Sequence, residues 1–125
     1  MYLGIDNSVD GKAIFYKWQN DQFTVEEKII NESGDLLFAL QSVLHKENLN
    51  LGDLQGLAVL VGAGKFTGTR VAVTVANTLA YALNIPVVGV GELKENTLER
   101  IKQQTSGIYV SATYSGEPNI GKKKE

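Results

Sequence analysis

A chain of 125 residues, 43% of them apolar, has the size of one domain with one core and little room for a second. Its formal charge of −2 excludes a general basic field that would hold a phosphate backbone unaided, so a nucleic-acid role calls for a partner. The absence of cysteine excludes disulfides and thiolate chemistry, and no run approaches the roughly 18 apolar residues of a membrane span.

The opening "MYLGIDNSVDGK" lacks the basic start and apolar core of a signal peptide, which leaves the cytoplasm as the expected compartment. "MYLGID" reads as a short strand ending at Asp6, "NSVDGK" as a turn, and "AIFYKW" as its hairpin partner. After a second turn at "QNDQ", "FTVEEKII" continues as a third antiparallel strand in which Phe23 and Val25 alternate with polar neighbours. Ser33 can cap a first helix, Asp35 suits its positive dipole end, and Leu36, Leu37, Leu40, Val43 and Leu44 form its apolar stripe. His45, the sole histidine, stands beside Lys46 at the end of this helix, where positive charge complements the dipole and catalysis is not implied. An unbroken apolar run over 57–61 suits a central strand buried on both faces.

Residues 67–83 read as a second helix despite Val71, Val73 and Val75, because the run is too long for one strand and is seeded with Ala72, Ala76, Ala80 and Ala82. Small or apolar residues surround it almost completely, so more than one side needs cover from protein. "IPVVGV" is a fifth strand, "ELKENTLERIKQQ" a polar helix carrying Leu93, Leu98 and Ile101, and residues 107–114 a candidate sixth strand. The domain is therefore expected over 1–113, with 114–125, including its small basic triplet, as a disordered tail.

Between the fourth strand and the second helix stands "VGAGKFTGTR". A phosphate loop of the form G-x-x-x-x-G-K-[ST] finds its end in Gly64 and Lys65, but Val59 replaces its first glycine and Phe66 its metal-binding hydroxyl. The dinucleotide fingerprint fails by one residue, since Gly62 and Gly64 are followed by Gly68. Two readings stay open: Asp6, Gly62, Gly64, Lys65, Thr67 and Gly68 cradle a phosphate, or the glycines serve a tight strand-to-helix turn and close packing. An acid at the end of a first hairpin strand is similar to those of actin-like phosphotransferases and ribonuclease H-like nucleases. Here no further acid joins Asp6 from the fourth strand, and metal-assisted phosphodiester cleavage needs several carboxylates. Asp6 can equally brace the "DNS" turn. Arg70 is electrostatically out of place in the first turn of a helix, which points either to a specific acceptor or to a solvated side chain.

"GAGKFTGTRVAV", placed after an apolar strand and before "IPVVGV", resembles the G-P-G-S-F-T-G-x-R-x-G signature of the TsaB (YeaZ) family of tRNA threonylcarbamoyladenosine biosynthesis proteins, and "LGIDNS" resembles that family's first strand. The likeness covers most of residues 1–113 in element order. Its specific core is Gly62, Gly64, Phe66, Thr67, Gly68 and Arg70, while Ala63 and Lys65 stand where the family has Pro and Ser. The resemblance implies an α/β fold: an actin-like, ribonuclease H-like lobe with a mixed five- to six-stranded sheet, three antiparallel strands first and helices packed on it. It further implies a catalytically inert paralogue of TsaD that pairs with TsaD through its first two helices, with the ATPase TsaE joining and tRNA engaged only through the assembly. The family has two lobes, and this chain reads as a short form with one. Neither cofactor nor metal is implied.

On this reading Leu36, Leu40, Arg70, Thr74, Thr78, Tyr81 and Ala82 face the partner, with Ala72, Ala76, Leu79 and Leu83 on the core stripe. A chain without its partner is expected to self-pair as a homodimer. The rival expectations are a nucleotide-binding phosphotransferase or nuclease lobe using Asp6 and the loop at 62–68, and a small-molecule module, which would need a deep apolar pocket.

Overall fold

The computed structural model describes residues 1–30, 35–62 and 66–111. In chain order these form β1 (Tyr2–Asp6), β2 (Lys12–Gln19), β3 (Gln22–Ile29), α1 (Asp35–Lys46), β4 (Gly56–Leu60), α2 (Phe66–Leu83), β5 (Val87–Val90) and α3 (Thr97–Gln103). The sheet order is β3-β2-β1-β4-β5. β1, β2 and β3 pair antiparallel, whereas β4 joins β1, and β5 joins β4, in parallel. The local chemistry accounts for the switch. Asn20 and Asp21 both take positive φ (53° and 63°), as a two-residue hairpin loop requires, and asparagine and aspartate tolerate this better than other side chains do. Parallel strands instead need a long crossover, and α2 is the one that carries the chain from β4 to β5.

Strand alternation divides the core in two. Leu3, Ile5, Ala13, Phe15, Leu57, Val59 and Val87 pack with α1 and α2 on one face. On the other, Trp18, Ala58, Val88 and Val90 pack with Leu93 and with Ile101 of α3. β4 contributes to both, so its apolar run belongs to a strand enclosed from either side, as the sequence suggests. α3 is shorter than the polar stretch expected from sequence. Leu93 precedes it in a turn, where the buried Thr97 hydroxyl accepts the Lys94 N–H at 3.0 Å.

Two expectations are corrected. Leu37 does not join the α1 stripe but is exposed, because Leu36, Leu40, Val43 and Leu44 already fill the side facing the sheet. No sixth strand forms over 107–111, since the N–H and carbonyl of Val110 are taken by the Asn77 side chain rather than by a neighbouring strand. The rest of that stretch, the proposed tail and the Ser33 cap lie outside the described residues.

An ion cluster ties β2, β3 and the end of α1. The buried Lys17 ammonium reaches Glu26 at 2.9 Å and Glu47 at 3.4 Å, and Lys28 and Lys46 each reach Glu26 at 3.2 Å. Burial pushes the Glu26 carboxyl up, but hydrogen bonds from Lys17, Lys46 and Lys28 outweigh it and hold the group at about 2, against an ordinary 4.5. A carboxyl lowered by folding stabilises the native state fully above its unfolded value and loses that contribution as pH falls through the folded one. Urea midpoints of the wild type should therefore drop between pH 5 and pH 2.5 more steeply than those of Glu26→Gln. Equal slopes would show that the cluster contributes nothing in this window.

Candidate functional site

The glycine-bearing turn after β4 and the exposed side of α2 lie on the same crossover, yet they have different characters. At the end of β1 the Asp6 carboxylate accepts from the Ser8 N–H at 2.9 Å and from the Ser8 hydroxyl at 2.6 Å, both on one oxygen. This is the bracing of an Asx turn. The next residue reaches across to the helix: Asn7 Nδ2 donates to the Gly68 carbonyl at 3.1 Å. A Cβ on Gly68 would fall well inside van der Waals contact with the Asn7 carbonyl oxygen, so only glycine lets the first turn of α2 lie against β1. Gly62, at φ +81°, turns the chain sharply out of β4.

Of the six residues the sequence offers as a phosphate loop, the structure thus brings Asp6 and Gly68 together through Asn7. Thr67 is exposed beside them, and Gly64 and Lys65 lie outside the described residues. Among the described residues no three His, Cys, Asp or Glu side chains gather in a way that could hold a metal ion.

The other side of α2 is a single stripe. Ala72, Val73, Ala76, Leu79 and Ala80 are buried against the sheet, and their small size lets the helix sit close to it. Arg70, Thr74, Thr78 and Tyr81, spaced three or four residues apart, point away and are exposed together with Ala82, four residues beyond Thr78. Tyr81 is 76% accessible. Arg70 forms no ion pair among the described residues, so the stripe carries one charge at its N-terminal end and none over the following three turns.

α1 behaves otherwise than expected. Leu36 and Leu40, assigned to the partner face from sequence, are wholly enclosed in the chain's own core and have nothing to offer a partner. The outward apolar residues of α1 are Leu37 and, at 73% exposure, Phe38. Phe38 could have been found from sequence, since it stands two positions beyond Leu36 and hence about 200° around the helix from the stripe. Ile108 and Tyr109 are also exposed and were not singled out; the Tyr109 ring lies 6.4 Å from that of Tyr81.

A protein-family model described as tRNA N6-adenosine threonylcarbamoyltransferase, TsaD, matches residues 31–115. The tRNA threonylcarbamoyladenosine biosynthesis protein TsaB of Buchnera aphidicola (Schizaphis graminum) is 30% identical over 92 residues, covering 73% of this chain and 44% of the relative. The Bacillus subtilis TsaB is 38% identical over 64 residues, or 51% of this chain and 28% of that protein. YeaZ from Pseudomonas aeruginosa superposes with a TM-score of 0.64 at 27% identity, over 74% of this chain and 45% of the other. The chain spans less than half the length of each of these relatives.

Proposed function

The chain belongs to the TsaB/YeaZ family, within the wider TsaD-like group, and on that premise we propose that it is a non-catalytic subunit that pairs with a TsaD protein in tRNA threonylcarbamoyladenosine formation. Its mixed sheet is an actin-like lobe, the fold of the neighbours it superposes on. The observation that carries the pairing is the outward stripe Thr74, Thr78, Tyr81 and Ala82. These residues are uncharged and exposed, on a helix whose opposite side is already buried. The family model is named TsaD, and several curated relatives carry its description, tRNA N6-adenosine threonylcarbamoyltransferase, which supports a likeness in fold between this chain and a TsaD. Two such lobes can meet through matching helices, as self-complementary surfaces do in a two-fold dimer. The same logic gives a homodimer when the partner is absent. Arg70, at the end of the stripe, supplies a charge for an acceptor on the partner.

The non-catalytic reading draws on Asp6, whose carboxylate is engaged in its own turn, and on Gly68, whose lack of a side chain is accounted for by packing. In this scheme TsaE joins the assembly in the cytoplasm and tRNA is met through the complex. Among the described residues no helix is long and apolar enough to cross a membrane. The test is co-expression with TsaD followed by size-exclusion chromatography. We expect a shared peak with one copy of each chain; separate peaks at micromolar concentration would remove the proposal.

A further inference from the structure

The stripe on α2 is too small to hold a stable partner by itself. Eighteen residues make a helix about 27 Å long, and a stripe about 10 Å wide then offers on the order of 270 Å², against about 800 Å² per partner in a standard interface. The missing area must come from surface continuous with it. Residues 107–111 supply such surface. After α3 the chain turns at Gly107 (φ +96°) and runs back against the C-terminal half of α2. There the Asn77 side chain grips it twice: Nδ2 donates to the Val110 carbonyl at 2.9 Å, and Oδ1 accepts the Val110 N–H at 2.9 Å. One side-chain amide thus does what a neighbouring strand would do for the backbone of Val110. The Val110 side chain packs onto the main core at Gly89, and the Ser106 hydroxyl donates to the Asn84 carbonyl at 3.3 Å. These anchors leave Tyr109 against Tyr81, with Ile108 exposed beside it.

We infer that residues 107–111 form the second half of the partner-binding surface, and that Asn77 is the positioning residue that holds this strap so that Tyr109 and Tyr81 meet the partner as one aromatic pair. The inference rests on the pairing proposed above. Its occupant is the TsaD of that pairing, and a stripe uncharged from Thr74 to Ala82 suits an uncharged surface on it. Tyrosine suits the position, because it offers large contact area with few rotatable bonds and keeps a hydroxyl for the rim. Ile108, next to Tyr109 in the chain, adds a second exposed apolar side chain. A partner that docks on α2 alone would leave Ile108 and Tyr109 in water.

The test measures affinity for TsaD with four full-length variants: Thr78→Arg, Tyr109→Ala, Asn77→Ala and Asn77→Asp. Thr78→Arg reads the underlying pairing, and the others read the strap. We expect Tyr109→Ala and Asn77→Ala each to weaken binding about 10-fold, with Asn77→Asp between Asn77→Ala and the wild type, since it can still accept the Val110 N–H. Hydrogen exchange at the Val110 amide should accelerate in Asn77→Ala, which separates loss of the strap from loss of the fold. If Thr78→Arg abolishes binding while Tyr109→Ala and Asn77→Ala bind like the wild type, the strap has no part in recognition and the inference fails with the pairing intact. Should Thr78→Arg also bind normally, both fall. Should Asn77→Ala not fold, Tyr109→Ala decides alone, because its ring is surface-borne.

Discussion

Thr78→Arg is expected to abolish the shared peak with TsaD while the chain itself melts almost as the wild type does. The two halves of this expectation have separate causes. In the isolated chain Thr78 is exposed, and exchanges at such positions change stability by no more than about 0.5 kcal/mol. In the complex the same position is the middle of the stripe, with Thr74 on one side and Tyr81 and Ala82 on the other. An arginine there has no acid within the stripe to meet and is enclosed unpaired, which costs about 3–5 kcal/mol and hence at least about a hundredfold in affinity. A control separates this from a folding defect. Ala76, two residues from Thr78 and so about 200° around the helix, is fully buried against the sheet, and Ala76→Arg should prevent folding altogether. Co-elution of Thr78→Arg with TsaD at wild-type affinity would show that the stripe takes no part in the pairing, and the proposal would fall.

The contrast between the two helices explains how much of this surface was legible in the sequence. In α2 the side chains sort by size: Ala72, Ala76 and Ala80 mark the close-packed side, so Thr74, Thr78 and Tyr81 fall on the other by elimination. In α1, Leu36, Leu37 and Phe38 follow one another; the spacing of Leu36, Leu40, Val43 and Leu44 turns Phe38 outward but leaves Leu37 at the margin of the stripe. The sheet decides it, by offering room at 36 and 40 and none at 37 and 38. β1 to β5 were legible because hairpin turns and an unbroken apolar run are local signals. The strap was not. Residues 107–111 have a β-branched and aromatic composition suited to a strand, but strand formation needs an open ladder. Here the pairing groups are those of an asparagine 33 residues away. The Glu26 cluster escaped for the same reason, since β2, β3 and α1 must first come together before Lys17, Lys28 and Lys46 converge.

Gly68→Ala poses the question raised by the loop, and two effects of opposite sign meet in it. Gly68 is the third residue of α2, and alanine in a helix is favoured over glycine by about 1 kcal/mol, so propensity alone makes the exchange stabilising. Against this stands the Asn7 carbonyl oxygen in the space of the new methyl group. That oxygen belongs to backbone at the end of β1 and cannot rotate away as a flexible side chain could. Moving α2 outward would break the bond from Asn7 Nδ2 to the Gly68 carbonyl and open the packing of Ala72 and Ala76 beneath. Overpacking of this kind costs about 1–3 kcal/mol or more, and with rigid backbone on both sides the upper end applies. The clash wins, and we expect a net loss of about 2 kcal/mol in chemical denaturation. Gly62→Ala makes the comparison: its Cβ meets nothing, but the left-handed backbone there costs an L-residue about 1–2 kcal/mol. If instead Gly68 were reserved for the approach of a phosphate, alanine would fold at least as well as the wild type and lose only anion binding. A stable Gly68→Ala chain would therefore overturn the packing account and return the loop to the nucleotide reading.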